Sequence, residues 1–235
     1  MKIEIKGFLE TSMINWEGMI VSVLYTSHCN FRCPYCQNPS LVLEPEQLET
    51  VPVAKIASFL IKKKGWVEGI CLTGGEPCMF ADLPDFLKKI RATGAKIKLD
   101  TNGAFPEMLE KLIDEKLVDY IAMDVKAPLD EEKYSKAAGG KVDIARIKKS
   151  IDIIRNSGLE YEFRTTVVPT IVDEDDIMEI AKYLKGSKKY ALQNFSTKEV
   201  LEASFKKIKP YKREVLEDIV KKISPFFEKC MVRGK

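Results

Sequence analysis

Six times along this chain a short apolar or β-branched run gives way to a stretch with helical spacing. The extended runs fall at 19–25, 67–72, 95–99, 120–123, 159–168 and 189–192. The helical ones fall at 53–64, 83–92, 106–116, 143–156, 173–185 and about 210–227. Alternation of this kind implies a parallel sheet with helical crossovers. Six units are too few to close an eight-fold barrel. The expected fold is α/β, a partial (β/α)6 barrel of the TIM type, open laterally. No linker rich in Gly, Pro or Ser divides the chain, so one domain is expected over 1–235, with its core at about 19–195. Residues 1–18 read as a short strand and a loop, and 130–140 as a polar excursion.

A net charge of +3 over 235 residues argues against a dedicated nucleic-acid binder, which needs a strong basic bias. The Lys62-Lys63-Lys64 run is the solvated end of a helix. The apolar runs are strand-sized, so none is expected to span a membrane. Met1-Lys2-Ile3-Glu4-Ile5-Lys6 alternates where a signal peptide would be continuously apolar. These features predict a cytoplasmic protein. In a reducing cytosol six cysteines, three of them within eight residues, favour metal binding over disulfides. Cys71 sits in an apolar run and reads as a small core residue, and Cys78 and Cys230 are scattered.

The three clustered cysteines are Cys29, Cys33 and Cys36, in Thr26-Ser27-His28-Cys29-Asn30-Phe31-Arg32-Cys33-Pro34-Tyr35-Cys36-Gln37-Asn38. The stretch directly follows the first long strand, and its loop runs to about residue 52, longer than an ordinary connection. Three thiolates are one short of a closed tetrahedral sulfur site, as in an iron–sulfur cluster with one open iron. The alternative is a structural zinc site completed by His28 or a distant cysteine. Against it, His28 adjoins Cys29, and only Cys33-Pro34-Tyr35-Cys36 has the paired knuckle form. His28, the only histidine, is left to shape the loop or the surroundings of the metal.

Other polar clusters fall at strand C-termini, where parallel α/β sheets build their sites. Gly74-Gly75-Glu76-Pro77 offers close backbone approach and a carboxylate that accepts from an ammonium group. A Gly-Gly turn is also an ordinary strand terminator. Asp100 and Asp124 end two further strands, where each could instead cap the next segment, and Lys126 adds a cation. Arg164 lies within a strand, and alternation leaves two readings open: inward, with a buried anionic partner, or on the surface with Phe163 inward.

Taken together, Cys29-Asn30-Phe31-Arg32-Cys33-Pro34-Tyr35-Cys36 and Gly74-Gly75-Glu76-Pro77 resemble the radical S-adenosylmethionine superfamily. Thr11-Ser12-Met13-Ile14-Asn15-Trp16-Glu17-Gly18, ahead of the first long strand, resembles the activating enzymes of glycyl radical enzymes, of the anaerobic ribonucleotide reductase and pyruvate formate-lyase types. The resemblance implies that Cys29, Cys33 and Cys36 hold a [4Fe–4S] cluster whose open iron takes the amino and carboxylate groups of S-adenosylmethionine. It places Tyr35 by the adenine, Gly74, Gly75 and Glu76 on the methionine ammonium, and Asp124 and Lys126 on the ribose or carboxylate. Arg164 would approach the cofactor from the fifth strand, and Asp100 and Thr101, with Asp124, would form a small monovalent cation site beside it.

The implied reaction is reductive cleavage of the sulfonium to a 5′-deoxyadenosyl radical, which abstracts a hydrogen atom from a glycine Cα of a partner enzyme. An electron donor such as flavodoxin or ferredoxin would serve it. Some relatives carry a histidine where this chain has Gln193-Asn194-Phe195, and no second cysteine-rich insertion is present, which leaves the short activase form. The competing reading is a radical enzyme acting on a small molecule or another macromolecule, which needs a lid over its pocket. Only 38–52, 129–141 and the C-terminal helix are available to build one. A third reading is a structural metal protein without activity.

Overall fold

The computed structural model describes residues 2–234. In chain order it contains β1 (Ile5–Ser12), β2 (Val21–Thr26), α1 (Pro39–Leu43), α2 (Val53–Lys62), β3 (Gly69–Gly74) and α3 (Leu83–Arg91). Then follow β4 (Lys96–Thr101), α4 (Pro106–Asp114), β5 (Tyr120–Asp124), α5 (Glu131–Ala138), α6 (Ile144–Asn156) and β6 (Glu160–Val167). The chain ends with α7 (Glu174–Tyr183), β7 (Lys189–Asn194), α8 (Arg213–Ile223) and β8 (Lys229–Arg233). One sheet takes the eight strands in sequence order, and β1 and β8 are its ends, so the sheet is open. β1 runs antiparallel to β2, while β2–β3, β3–β4, β6–β7 and β7–β8 are parallel. This is the strand order of a partial (β/α) barrel. No helix among the described residues is long and apolar enough to cross a membrane.

The chain divides into two compact units. The first comprises residues up to Asn30, Ser40–Thr101 and Phe105–Ile121. Its helices bury the stripes that their spacing dictates: Leu83, Phe86, Leu87 and Ile90 in α3, at i, i+3, i+4 and i+7, and Ile56 and Leu60 in α2. β2 is buried nearly throughout, with Val21, Ser22, Val23 and Leu24 sealed from solvent. The short strand expected within residues 1–18 is β1, which runs to Ser12 and pairs with β2, and the loop that holds Trp16-Glu17-Gly18 follows it. Trp16 in the turn that follows is 8 % exposed and stacks 5.7 Å from Tyr120. Beneath it lies Lys98, 2 % exposed, whose Nζ donates to the Asn15 carbonyl at 2.6 Å and sits 5.3 Å from the Tyr120 ring.

The second unit comprises Phe31–Pro39, Asn102–Ala104 and, of the described residues, 122–234. In α6 the buried residues are Ile144, Ile147, Ile151 and Ile154, again one helical face. The 130–140 stretch is corrected here from a polar excursion to α5. Asp130 caps it by accepting from the Glu132 and Lys133 amides, and Gly139 ends it in the left-handed conformation. Its apolar face is only Tyr134, Ala137 and Ala138, too slight to stand out among charges. α7 starts on a capping box between Asp173 and Asp176. The expected long final helix is shorter, since α8 gives way to β8, which pairs with β7 from Lys189↔Lys229 to Gln193↔Arg233.

Gly139 has φ +70°, and a Cβ there would run into the Arg32 carbonyl. Gly139→Ala is expected to lower stability by at least about 1–2 kcal/mol, the cost of a left-handed L-residue. Gly140→Ala meets nothing within 4 Å. It should stay within about 0.5 kcal/mol of wild type. Urea midpoints of the two variants check this.

Candidate functional site

In the first unit the parallel pairing of β2 and β3 continues past the strand ends. The Gly75 amide donates to the Thr26 carbonyl at 3.0 Å, and the Glu76 amide to the His28 carbonyl at 2.8 Å. Gly74, at φ +115°, and Gly75 both lie so close that a Cβ would overlap the backbone of Thr26 and of His28. The glycine pair is therefore required by the base of the cysteine loop itself, in addition to anything a ligand asks. His28 sits at φ 54° and its ring faces Glu46 at 3.9 Å, so the histidine shapes the loop.

Glu76 is 1 % exposed. Its Oε1 accepts from the Cys78 amide at 2.9 Å and from the Thr101 hydroxyl at 2.8 Å. Burial, then the Glu76 charge, push the Cys78 thiol well above the ordinary cysteine range. Thr101 thus orients Glu76. Asp100 Oδ1 lies 3.6 Å from Lys98 Nζ.

In the second unit Cys33, Tyr35, Asp124, Lys126, Tyr134 and Arg164 form one electrostatic group. Arg164 Nε donates to Asp124 Oδ1 at 2.8 Å, and Lys126 Nζ lies 3.5 Å from Asp124 Oδ2. Burial pushes the Asp124 carboxyl up, but Arg164 and Lys126 outweigh it and hold it below the usual aspartate range. Burial likewise works to lower the Lys126 ammonium, and the negative charges of the Cys33 thiolate form and the Asp124 carboxylate overcome it. The Cys33 thiol is raised by burial against the pull of Lys126. Arg164 is 8 % exposed and Phe163 fully buried. Both faces of β6 are covered, so the surface reading of Arg164 falls. Tyr35 is 5 % exposed, and its hydroxyl is buried without a hydrogen-bond partner among the described residues.

The knuckle Cys33-Pro34-Tyr35-Cys36 is closed by the Cys36 amide donating to the Cys33 carbonyl at 3.0 Å. Outside it, the Arg32 amide donates to the Ala138 carbonyl at 2.8 Å, and the Glu202 amide to the Pro34 carbonyl at 2.9 Å. Gln37 Nε2 reaches the Ser196 carbonyl at 3.4 Å. Gln193-Asn194-Phe195 supports the same segment: the Asn194 amide group donates to the Tyr211 carbonyl, and Phe195 meets Phe205 edge-on.

The family model for the radical SAM superfamily matches residues 23–184, most of the chain. This chain belongs to the radical SAM superfamily. It is 35 % identical over 214 residues to a provisionally named glycyl-radical enzyme activating enzyme of Methanocaldococcus jannaschii, covering 88 % of this chain and 86 % of that protein. It is 28 % identical over 172 residues to the GTP 3′,8-cyclase of Aquifex aeolicus, covering 71 % of this chain and 52 % of the cyclase. Among solved structures it is similar to Streptococcus suis SuiB bound to S-adenosylmethionine, with a TM-score of 0.70 at 18 % identity. The likeness covers 90 % of this chain and half the length of SuiB, and shows the fold.

A radical SAM protein implies a [4Fe–4S] cluster and S-adenosylmethionine. The residues present fit: Cys29, Cys33 and Cys36 are in no disulfide among the described residues, and Lys126 favours the thiolate form of Cys33 that iron requires. Among the described residues no three His, Cys, Asp or Glu side chains gather round one metal ion. A cubane does not ask for that, since each thiolate takes its own iron. The sequence reading missed Lys98, Tyr134, Glu162 and Arg233. Glu160-Tyr161-Glu162-Phe163-Arg164 did carry a signal, charges at every second position on one strand face.

Thr101→Val keeps the shape but removes the donor to Glu76 Oε1. It is expected to cost about 1–3 kcal/mol, because a buried carboxylate oxygen loses a partner. Denaturant unfolding checks this, and an unchanged midpoint counts against the contact.

Proposed function

We propose that this protein is an activating enzyme that uses a [4Fe–4S] cluster and S-adenosylmethionine to abstract a glycine Cα hydrogen from a partner glycyl radical enzyme. Cys29, Cys33 and Cys36 hold the cluster. Gly74, Gly75 and Glu76 receive the methionine ammonium, while Asp124, Lys126 and Arg164 serve the carboxylate and ribose, with Tyr35 by the adenine. The chemistry these groups supply is one-electron cleavage of the sulfonium and hydrogen-atom abstraction. The protein binds, orients and excludes water, and the reaction asks no general base of it.

One observation carries the choice of a protein substrate. The segments available for a lid are tied down by main-chain hydrogen bonds to the cysteine loop. Leu41, in the 38–52 segment, accepts from the His28 amide at 2.7 Å. Ala138 of α5 accepts from Arg32, and Glu202, ahead of α8, donates to Pro34. α8 itself turns Leu216, Ile219 and Ile223 into the core beside α7 and β8. Small-molecule radical chemistry needs a closing element, and these are committed to bracing. The near-complete match to the activating-enzyme relative supports the same choice, whereas the cyclase match stops at about half of the cyclase.

The test is anaerobic incubation of the reconstituted protein with S-adenosylmethionine, a reductant and candidate glycyl radical enzymes, read by electron paramagnetic resonance. A glycyl doublet on the partner is expected. Cleavage of S-adenosylmethionine with a small-molecule product, and no doublet with any candidate, would favour the other reading. Cys33→Ala is expected to abolish both cluster assembly and cleavage, since two thiolates cannot hold the cube. Full cleavage in that variant would sink the mechanism. Glu76→Ala is expected to weaken S-adenosylmethionine binding while iron content stays at the wild-type level.

A further inference from the structure

We infer that Arg233, in the last strand, is a positioning residue for Arg164. The inference rests on the cofactor role proposed for Arg164 and goes beyond it. Glu162 lies two residues before Arg164 on the same face of β6 and is fully buried. Its Oε1 is 2.5 Å from Arg233 Nη1 and 4.0 Å from Arg164 Nη1. Arg164 in turn donates from Nε to Asp124 Oδ1 at 2.8 Å. The charges alternate along the row: Arg233, Glu162, Arg164, Asp124, Lys126.

In this row Arg164 faces a carboxylate on either side, and Arg233 decides how strongly one of them pulls. With Arg233 in place, Glu162 is neutralised from β8 and Arg164 is left to Asp124. Without it, a fully buried carboxylate has Arg164 as the nearest cation the row offers. Loss of the Arg233 contact strengthens the pull of Glu162 on Arg164 Nη1, 4.0 Å from the same oxygen, so the guanidinium is drawn toward Glu162 and away from Asp124. β8 does not need Arg233 to stay in the sheet, because its ladder to β7 is main-chain.

The experiment measures S-adenosylmethionine affinity by equilibrium dialysis on the anaerobic, cluster-loaded protein, with iron content and thermal midpoint recorded alongside. Arg233→Met is expected to weaken binding roughly tenfold with iron unchanged. Arg233→Lys should remain within about threefold of wild type, since a cation still meets Glu162. The deciding variant is the double change Glu162→Gln with Arg233→Met. Removing the Glu162 charge should bring affinity back to within about threefold of wild type. A merely structural role for Arg233 predicts no such rescue. Unaltered affinity in Arg233→Met, or failure of Glu162→Gln to restore it, overturns the inference. Arg164→Met separates the two readings. If it leaves affinity unchanged, the cofactor role of Arg164 fails; if it weakens binding while Arg233→Met does not, only the positioning role fails.

Discussion

The hydrogen bonds that carry the β2–β3 pairing past its last strand residues fix the base of the cysteine loop. Without the Gly75–Thr26 and Glu76–His28 main-chain bonds, the residues before Cys29 would be free to wander. Their geometry dictates sequence on both sides. It requires a glycine at 75, because the His28 carbonyl occupies the space of a Cβ. It also sets Glu76 where one carboxylate oxygen closes the turn at Cys78 and receives Thr101 from β4. A cysteine loop of the kind proposed to hold iron gains from being built on a ladder, where main-chain bonds are short and directional.

The far side of the cysteine loop is held differently. Arg32, Pro34 and Gln37 are tied to Ala138, Glu202 and Ser196, residues remote in sequence that belong to the same unit. Chain segments that connect strands in a barrel usually run free over the surface. Here two of them, α5 and the segment that follows β7, converge on residues 32–37, and α5 spends its C-terminus on the contact. That arrangement exchanges mobility for a rigid cysteine loop.

Most of the architecture was legible because strand and helix patterns differ in period, two against 3.6, and the six alternations kept them apart. What escaped had weak periodicity for identifiable reasons. α5 buries only Tyr134 and two alanines, and β8 is five residues long with a charge at each end. The cysteines, Gly74-Gly75-Glu76 and Asp124 announced themselves by residue type. Arg164 did not reveal its side, because β6 is covered on both faces and alternation then has no solvent face to anchor it. The partners of Arg164 were less visible still. Glu162 and Arg233 lie 71 residues apart, and nothing local in either stretch tells that they meet.

The row from Arg233 to Lys126 also bears on what the fold is for. Replacing a buried ion pair by well-packed apolar residues is often neutral or stabilising, so stability alone gives a strand little reason to bury Glu162 completely. Conformational definition is a better reason. A guanidinium between two carboxylates has one favourable position, whereas an arginine beside a single carboxylate can pair in several. Lys98 in the other unit follows the same logic, with the Asn15 carbonyl on one side and Asp100 on the other. In both units a charge at the C-terminal end of a strand, Asp124 or Asp100, is steadied by a cation buried deeper in the same unit. A site that must hold a small charged molecule needs its own charges immobile beforehand, because orientation lost on binding is affinity lost.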